Sequence, residues 1–185
     1  MSLRACRRFG VPLLWFAVAT ALAAGGTVIP VQSSLVATFK QQHVPVDAAF
    51  KRFAGSIVYD AARPAATVAE LNVDMNSLDV GDDDSDAEVR KPAWFDSARF
   101  PQATFRSTAV TPGAAGHFDA VGALTIKGKA QTITVTVTVQ PKGGANAFDG
   151  SFELSRKAYG IGDPTWEGAL DDTVRVRFHL LAAGT

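Results

Sequence analysis

The chain has 185 residues, with 18 basic and 18 acidic side chains and therefore a formal net charge of zero. A chain of this length predicts one domain, and without a Lys/Arg-rich block it is a poor candidate for binding nucleic acid. Helix-forming runs are scarce, whereas Thr, Val, Phe and Gly are plentiful, which favours an all-β fold.

The N-terminal residues have the pattern of a secretory signal peptide. Three arginines before residue 9 precede an apolar run over residues 9–24, and Ala21-Leu22-Ala23 provides the small-x-small pattern of a cleavage site. We predict a signal peptide over residues 1–23, a single domain over residues 24–185 and a periplasmic location. A retained membrane anchor is the alternative, although Pro12 interrupts the apolar run.

Removal of the signal peptide changes both the charge and the cysteine content. It takes away three arginines, which leaves fifteen basic against eighteen acidic residues. It also takes away Cys6, the only cysteine in the chain. The mature domain is therefore mildly acidic and has no thiol for a disulfide, a nucleophile or a Cys-based metal site.

The first half of the domain is typical of strands with alternating apolar and polar residues. Residues 34–39 form the first strand, and residues 40–46 form an edge or rim segment, because Pro45 cannot donate to a central ladder. Residues 50–59 and 69–75 form the second and third strands.

Residues 76–101 lack strand periodicity. The carboxylates and hydroxyl of Asp82-Asp83-Asp84-Ser85 predict the start of a short helix that ends near Lys91-Pro92. The acidic run also has the alternate spacing of calcium ligands, but Ala87 stands where a calcium loop needs Gly, so helix capping is the favoured interpretation.

Three aromatic side chains follow this helix closely. They are Trp94, Phe95 and Phe100. In a barrel, such a segment usually covers one mouth, so we predict that it forms an aromatic lid.

The second half contains the clearest hairpin. Residues 118–126 and 132–139 lie on either side of the turn Lys127-Gly128-Lys129, and the second strand places Ile or Val on one face and Thr on the other. Further strands are predicted over residues 104–110, 148–154 and 174–180. The pattern predicts an all-β antiparallel barrel of about eight strands with a short helix and an aromatic lid.

The predicted inward faces interleave large apolar residues with very small ones. The small residues are Ala37, Ser107, Ala109, Ala120, Gly122 and Gly150. A filled barrel also alternates large and small residues, so a solid core remains one interpretation. The other is that the small residues leave a cavity for one apolar ligand.

Four groups of residues along the chain resemble one known family. They are Lys40-Gln41 with Val44-Pro45-Val46 and Phe50; Asn76-Ser77-Leu78-Asp79-Val80-Gly81 with Trp94-Phe95-Asp96, Phe100-Pro101 and Thr104-Phe105; Gly122 with Leu124-Thr125-Ile126-Lys127-Gly128; and Phe152, Arg156, Tyr159-Gly160-Ile161-Gly162 and Trp166. Together they resemble the YceI-like family of periplasmic polyisoprenoid-binding proteins, which are lipocalin-like, over residues 34–181. The resemblance implies an antiparallel barrel with an internal tunnel for an isoprenoid chain.

The alternation and the resemblance together predict an exported protein that binds an isoprenoid-type lipid, such as a quinone or its precursor. The expected wall is Phe39, Phe105, Val135, Val137, Phe152 and Phe178; the expected lid is Trp94, Phe95 and Phe100; and the ligand-binding set also includes Phe50, Phe53, Arg156, Tyr159 and Trp166. We expect no cofactor besides the lipid, no nucleic-acid partner and at most transient membrane contact of a soluble domain, and a homodimer remains open.

Other functions have weaker signals. The three histidines are scattered, which disfavours a metal site and a Ser–His–Asp arrangement, so we predict no catalytic residue. Arg156 could pair with a carboxylate such as Asp163 or Glu167, or it could meet the polar head of a ligand at the barrel mouth. An enzyme acting on a small hydrophobic substrate and a ligand-free stress or adhesion barrel are the alternatives.

Overall fold

A computed structural model describes residues 26–183, so the predicted signal peptide lies outside the described residues. Within this range the chain forms one antiparallel sheet of eleven strands and one α-helix, α1 (Asp83–Val89). The strands are β1 (Gly26–Thr27), β2 (Ser34–Gln41), β3 (Val44–Phe50), β4 (Phe53–Val58), β5 (Val68–Asp74), β6 (Leu78–Asp79), β7 (Gln102–Pro112), β8 (His117–Ile126), β9 (Lys129–Lys142), β10 (Ala145–Ser155) and β11 (Thr173–Ala183).

The order of the strands in the sheet is β1-β4-β5-β7-β8-β9-β10-β11-β2-β3-β6. Short 3-10 turns interrupt the connections at Pro30–Gln32, Pro64–Ala66, Met75–Ser77, Lys157–Tyr159 and Pro164–Trp166. The all-β antiparallel class predicted from the sequence is thus confirmed, together with the short helix.

The central hairpin is confirmed in detail. Strands β8 and β9 pair from Ile126↔Lys129 to His117↔Thr138, and their two-residue turn has positive φ at both Lys127 (50°) and Gly128 (72°). Two positive φ values are the mark of the turn whose twist matches that of the flanking strands. On β9, valines at alternate positions are buried, whereas the threonines between them face outward.

Three strands beyond the predicted eight explain the difference in number. They are the two-residue β1, the two-residue β6 and β3, which occupies the predicted rim segment. Phe50 therefore ends β3 and does not belong to the following strand. On one side β3 pairs with β2, and on the other only Ala49 and Phe50 have strand partners. Pro45 is accordingly in a strand near the sheet edge, where a missing N–H is tolerated.

The first segment of the described chain joins two strands that lie far apart in the sheet order, so the sheet must curl. Strand β1 pairs with β4, and the next residues contact β11: Val28 bridges Ala182, and the Ile29 N–H donates to the Leu181 carbonyl at 2.7 Å. This closes the barrel at one end, which we call the floor end. The opposite end, where α1 and the turn between β8 and β9 lie, is the lid end.

A bulge in β7 corrects one part of the predicted inward face. The register with β8 shifts between Ser107 and Ala109, so that Ala109 is exposed and Val110 is buried. An extra residue in one strand turns every following side chain to the other face. Ser107 keeps its face, and its Oγ accepts from the Ala69 N–H at 2.9 Å. Ala109 was therefore wrongly predicted to face the interior.

Helix α1 begins where its carboxylates predict. The Asp82 side chain accepts from the Ser85 N–H at 2.8 Å, and Asp86 accepts from the Val80 N–H at 2.7 Å. Capping is thus confirmed as the role of Asp82. The helix ends at Val89, before the Lys91-Pro92 pair, and irregular turns continue to β7.

Candidate ligand-binding site

A cavity of about 310 Å³ runs through the barrel from the lid end to the floor end. This volume lies at the lower end of the range of about 300–1,000 Å³ that is usual for small-molecule sites. The predicted residues that line it are Phe39, Phe50, Trp94, Phe95, Phe105, Val135, Val137, Phe152, Arg156, Trp166 and Phe178. The structure therefore brings eleven of the fourteen predicted residues together, and their contact with a ligand stays a prediction.

The wall of the cavity is shaped by two phenylalanines that lie over glycines. A Cβ built on Gly150 would lie 2.5 Å from Phe178 Cζ, and one built on Gly122 would lie 2.5 Å from Phe105 Cε2. Any larger residue at these glycines would displace the rings. The sequence suggested that these two glycines leave empty space, but the space above each of them is filled by an aromatic ring that lies against the wall. Ala37 and Ala120, by contrast, line the cavity.

Aromatic rings close the floor end. Tyr59 stacks on Phe118 with a centroid separation of 6.3 Å and meets Phe148 edge-on at 5.7 Å. Phe148 is only 2% exposed. Offset and edge-on ring pairs of this kind pack tightly, so this end presents an apolar surface to the cavity.

Two tryptophans contact each other at the lid end. Trp94 is buried and meets Trp166 edge-on at 6.3 Å, while Trp166 itself is 37% exposed. Trp94 Nε1 donates to Glu88 of α1 at 3.0 Å. Hydrogen bonds from Lys91 and Trp94 lower the pKa of Glu88. Trp94 and Phe95, which the sequence predicts as part of the lid, thus line the cavity beside α1.

Arg156 lies at the lid end with its side chain 7% exposed. It follows β10, and its guanidinium donates to three main-chain carbonyls: Nε to Asp171 at 3.0 Å, Nη1 to Ile161 at 2.9 Å and Nη2 to Leu170 at 3.1 Å. The two carboxylates considered as partners are engaged elsewhere, because Asp163 caps Thr165 and Glu167 binds Lys157. The carboxylate-pair alternative for Arg156 is therefore wrong.

Three of the predicted residues lie outside the cavity lining. Phe53 is buried in β4 as part of the core. Phe100 packs against the turn at Gly128, where a built Cβ would lie 2.8 Å from its ring. Tyr159 is 1% exposed, its hydroxyl donates to the Leu124 carbonyl at 3.4 Å, and burial raises the pKa of this phenol. All three support the barrel rather than face the cavity.

Sequence reasoning omitted several residues that line the cavity. Leu35, Leu71 and Met75 could have been found, since they share the inward face of strands whose alternation was recognised. Val89 and Leu170 could not, because they lie at a helix end and in an irregular segment, where no period indicates which way a side chain points.

Metal-ligating side chains are not gathered in the described part of the chain. Over residues 26–183, no three His, Cys, Asp or Glu side chains converge on one point. His117 Nδ1 is 3.1 Å from the Thr138 hydroxyl, and His179 Nδ1 is 2.7 Å from an Asp149 carboxylate oxygen on the neighbouring strand.

Over residues 26–183, no helix has the length and apolar composition needed to span a bilayer.

Comparisons with known proteins agree with this architecture. The sequence profile of the YceI-like domain matches residues 27–182. A UPF0312 protein of Enterobacter sp. (strain 638) is 30% identical over 166 residues, which cover 84% of this chain and 86% of the relative.

Solved structures also share the fold. The crystal structure of Burkholderia cenocepacia BcnA superposes with a TM-score of 0.82 at 38% identity and covers 84% of this chain and 99% of its own. A polyisoprenoid-binding domain from Saccharophagus degradans has a TM-score of 0.72 at 18% identity, with coverage of 87% and 99%. At that identity the second match shows the fold alone. With the profile matching nearly all of the described residues, the chain belongs to the YceI-like domain family.

Proposed function

We propose that the protein is an exported binding protein that holds an isoprenoid-type lipid, such as a quinone or its precursor, in the barrel cavity. The observation that carries the proposal is the cavity itself, which is walled mainly by Phe, Leu, Val and Ala side chains and is closed by aromatic rings at the floor end. Apolar cavities of this kind are the usual sites for small hydrophobic molecules.

The chemistry of the wall favours a long hydrocarbon chain. Each CH₂ group moved from water into such a cavity contributes about 0.8 kcal/mol. A few isoprene units therefore offset the translational and rotational entropy that is lost on binding. The S. degradans domain with the same fold is described as polyisoprenoid-binding, which supports the same ligand class here.

Export to the periplasm is part of the proposal. It rests on the arginines, the apolar run and the Ala21-Leu22-Ala23 pattern of the N-terminal residues. Intact mass measurement of the protein recovered from a periplasmic fraction should show a chain that begins at Ala24. A chain that keeps residues 1–23 in the membrane fraction would show a retained anchor instead.

The alternatives have less support. A ligand-free barrel with a filled centre conflicts with the cavity. An enzyme would need a reactive group in the cavity, but the charged lining residues Glu88 and Arg156 already bind other groups of the protein, and Glu70 lies 3.4 Å from Arg106. None of the three is held in the manner of a free general acid or nucleophile.

Extraction of the purified protein tests the proposal. The protein is purified from the periplasm of a bacterial host, extracted with organic solvent, and the extract is analysed by mass spectrometry. We expect an isoprenoid lipid at near one molecule per protein. Extracts that repeatedly lack any lipid, together with no binding of added polyprenyl compounds, would contradict the proposal.

A matched pair of variants assigns the lipid to the cavity. Ala37→Phe places a ring in the cavity from β2, whereas Thr134→Phe places the same ring on the exposed face of β9. The first variant should lose most of the co-purified lipid, and the second should retain it. Equal lipid content in both folded variants would place the lipid outside the barrel.

A further inference from the structure

Arg156 differs from the surface arginines in how its charge is balanced. Arg52, Arg175 and Arg177 are exposed, and each lies 3.0 Å or less from a carboxylate oxygen. Arg156 is buried in the cavity wall, and within residues 26–183 no carboxylate oxygen lies within 4 Å of it. Burying a charge costs desolvation free energy unless the charge is paired, so a negatively charged partner would stabilise this guanidinium.

The donors of Arg156 are only partly used. A guanidinium carries five N–H donors, and the protein engages three of them, one on each nitrogen. One N–H therefore remains on Nη1 and one on Nη2. Remaining donors on the two terminal nitrogens are available to carboxylate or phosphate oxygens, the acceptors that arginine binds most favourably.

The two carboxylates whose pKa responds to Arg156 do not supply the missing counter-charge. The positive charge of Arg156 contributes to lowering the pKa of both Asp172 and Glu167, so it acts on them through space. Both carboxylates are bound elsewhere: Asp172 accepts from the Ser155 hydroxyl and the Lys157 N–H, and Glu167 accepts from Lys157 Nζ. Their charge therefore offsets that of Arg156 only at a distance.

The guanidinium is held in a fixed position. Gly162 has a φ of 112°, and a Cβ there would lie 2.3 Å from Arg156 Nη1, so only glycine lets the loop lie this close. With one carbonyl bound at each of its three nitrogens and Gly162 against Nη1, the group is ordered before any ligand arrives. Preorganisation of this kind reduces the entropy that binding costs.

We infer that Arg156 is the head-group site of the cavity and binds the oxyanion, phosphate or carboxylate, of an amphipathic lipid. The apolar chain of that lipid runs from the lid end toward the rings of Tyr59, Phe118 and Phe148. The polarity of the cavity sets this direction, because its cation lies at one end and its aromatic floor at the other. The inference rests on the proposed function and adds the head-group chemistry and the orientation.

Three probes separate the head from the chain. Geranylgeranyl monophosphate has both, geranylgeraniol has the same chain without the charge, and inorganic phosphate has the charge without the chain. Binding to the full-length mature protein, freed of lipid, is followed by tryptophan fluorescence and calorimetry. We expect the monophosphate to bind at least about tenfold more tightly than the alcohol, and inorganic phosphate alone to show no measurable binding.

Two variants identify the responsible group. Arg156→Gln should remove the preference for the monophosphate while the alcohol still binds, and Arg156→Lys should keep part of it. The control is Lys127→Met, since Lys127 Nζ donates to the Gly160 carbonyl of the same loop but lies outside the cavity lining. This control should keep the full preference, because it alters the loop anchor and leaves the cavity cation in place.

Each outcome has one meaning. Tight binding of both lipids without a preference in the wild type would overturn the head-group inference and leave the proposed function intact, whereas binding of neither lipid would overturn both. A preference lost equally in Lys127→Met and Arg156→Gln would assign it to the loop and overturn the role of Arg156. Binding of inorganic phosphate as tight as that of the monophosphate would identify a free anion site instead. If Arg156→Gln does not fold, the wild-type ratio and Arg156→Lys still decide.

Discussion

Individual side chains set the width of the cavity. Phe178 lies over Gly150 on the neighbouring strand β10, and Phe105 of β7 lies over Gly122 of β8. Glycine in a strand lowers its stability, but here it provides the space that a ring from the next strand fills. The two glycines thus weaken their strands, but they let the rings lie close to the barrel wall and away from the centre of the cavity.

Substitution of Gly150 tests this role. The added methyl of Gly150→Ala would lie 2.5 Å from Phe178 Cζ and 2.6 Å from the Thr136 carbonyl oxygen, so ring and backbone must both move. We expect the free energy of unfolding, measured by urea denaturation, to fall by about 1–3 kcal/mol. The control Gly113→Ala, whose methyl would meet its nearest atom at an ordinary 3.4 Å, should stay within about 0.5 kcal/mol of the wild type.

A double-mutant cycle separates the ring from the backbone contact. In a Phe178→Ala background, Gly150→Ala should cost less, because the contact with the ring is gone and only the Thr136 contact remains. The same cost in both backgrounds would contradict the interpretation that Gly150 seats the ring.

At the scale of elements, residues 156–172 act as a single connection that covers the lid end. Arg156 binds three carbonyls of this segment, and Lys127 Nζ, from the central hairpin, donates to Gly160 and Pro92 at 2.8 Å each. Burial lowers the pKa of Lys127. The segment has little regular structure of its own, so these side chains determine its path.

Asp172 anchors the same segment, and its protonation should weaken the anchor. Burial by itself would raise the pKa of Asp172, but hydrogen bonds from the Lys157 N–H and the Ser155 hydroxyl and the charge of Arg156 outweigh it and lower the pKa. The ionised form therefore stabilises the fold above the unfolded pKa of about 3.9, and this contribution is lost as the pH falls below it.

The expected result is a pH-dependent effect of Asp172→Asn. At neutral pH the variant should lower the free energy of unfolding by about 1–2 kcal/mol. The difference from the wild type should shrink as the pH falls from about 4 to about 2, since the wild type then loses the same interactions. Asp171→Asn, which alters an exposed neighbour, is the control. A difference that is constant over this pH range would exclude the carboxylate as its source.

Prediction from sequence succeeded unevenly at the scale of elements. Helix α1 was found because Asp82 caps it through a hydrogen bond to a residue three positions away. The path of residues 156–172 was not predicted, because it depends on contacts between residues that are far apart in sequence. Lys127 donates to the Gly160 carbonyl, 33 positions later, and to the Pro92 carbonyl, 35 positions earlier. Local patterns encode the first kind of contact and do not encode the second.

At the scale of the whole molecule, a barrel that encloses space should be stabilised by whatever fills it. A ligand that binds only the folded state at a free concentration of 100 times its Kd adds about 2.7 kcal/mol of stability. For a domain of this size that corresponds to a rise in Tm of about 5–10 °C. We expect such a rise in calorimetric scans of lipid-free protein with added geranylgeraniol. An unchanged Tm at saturating lipid would argue that the cavity stays empty.

The sequence by itself determined the antiparallel strands, the central hairpin, the capped helix and the family. These depend on residues two to four positions apart, where the pleat or the first helical turn decides which side chains share a face. Only the tertiary structure decided the face change at Ser107 and Ala109, the closure by residues 26–29 against β11, the rings over Gly122 and Gly150, and the carbonyl partners of Arg156. Nearly all of these are set by how strands far apart in sequence come together, and alternation along one strand carries no information about its neighbour's register.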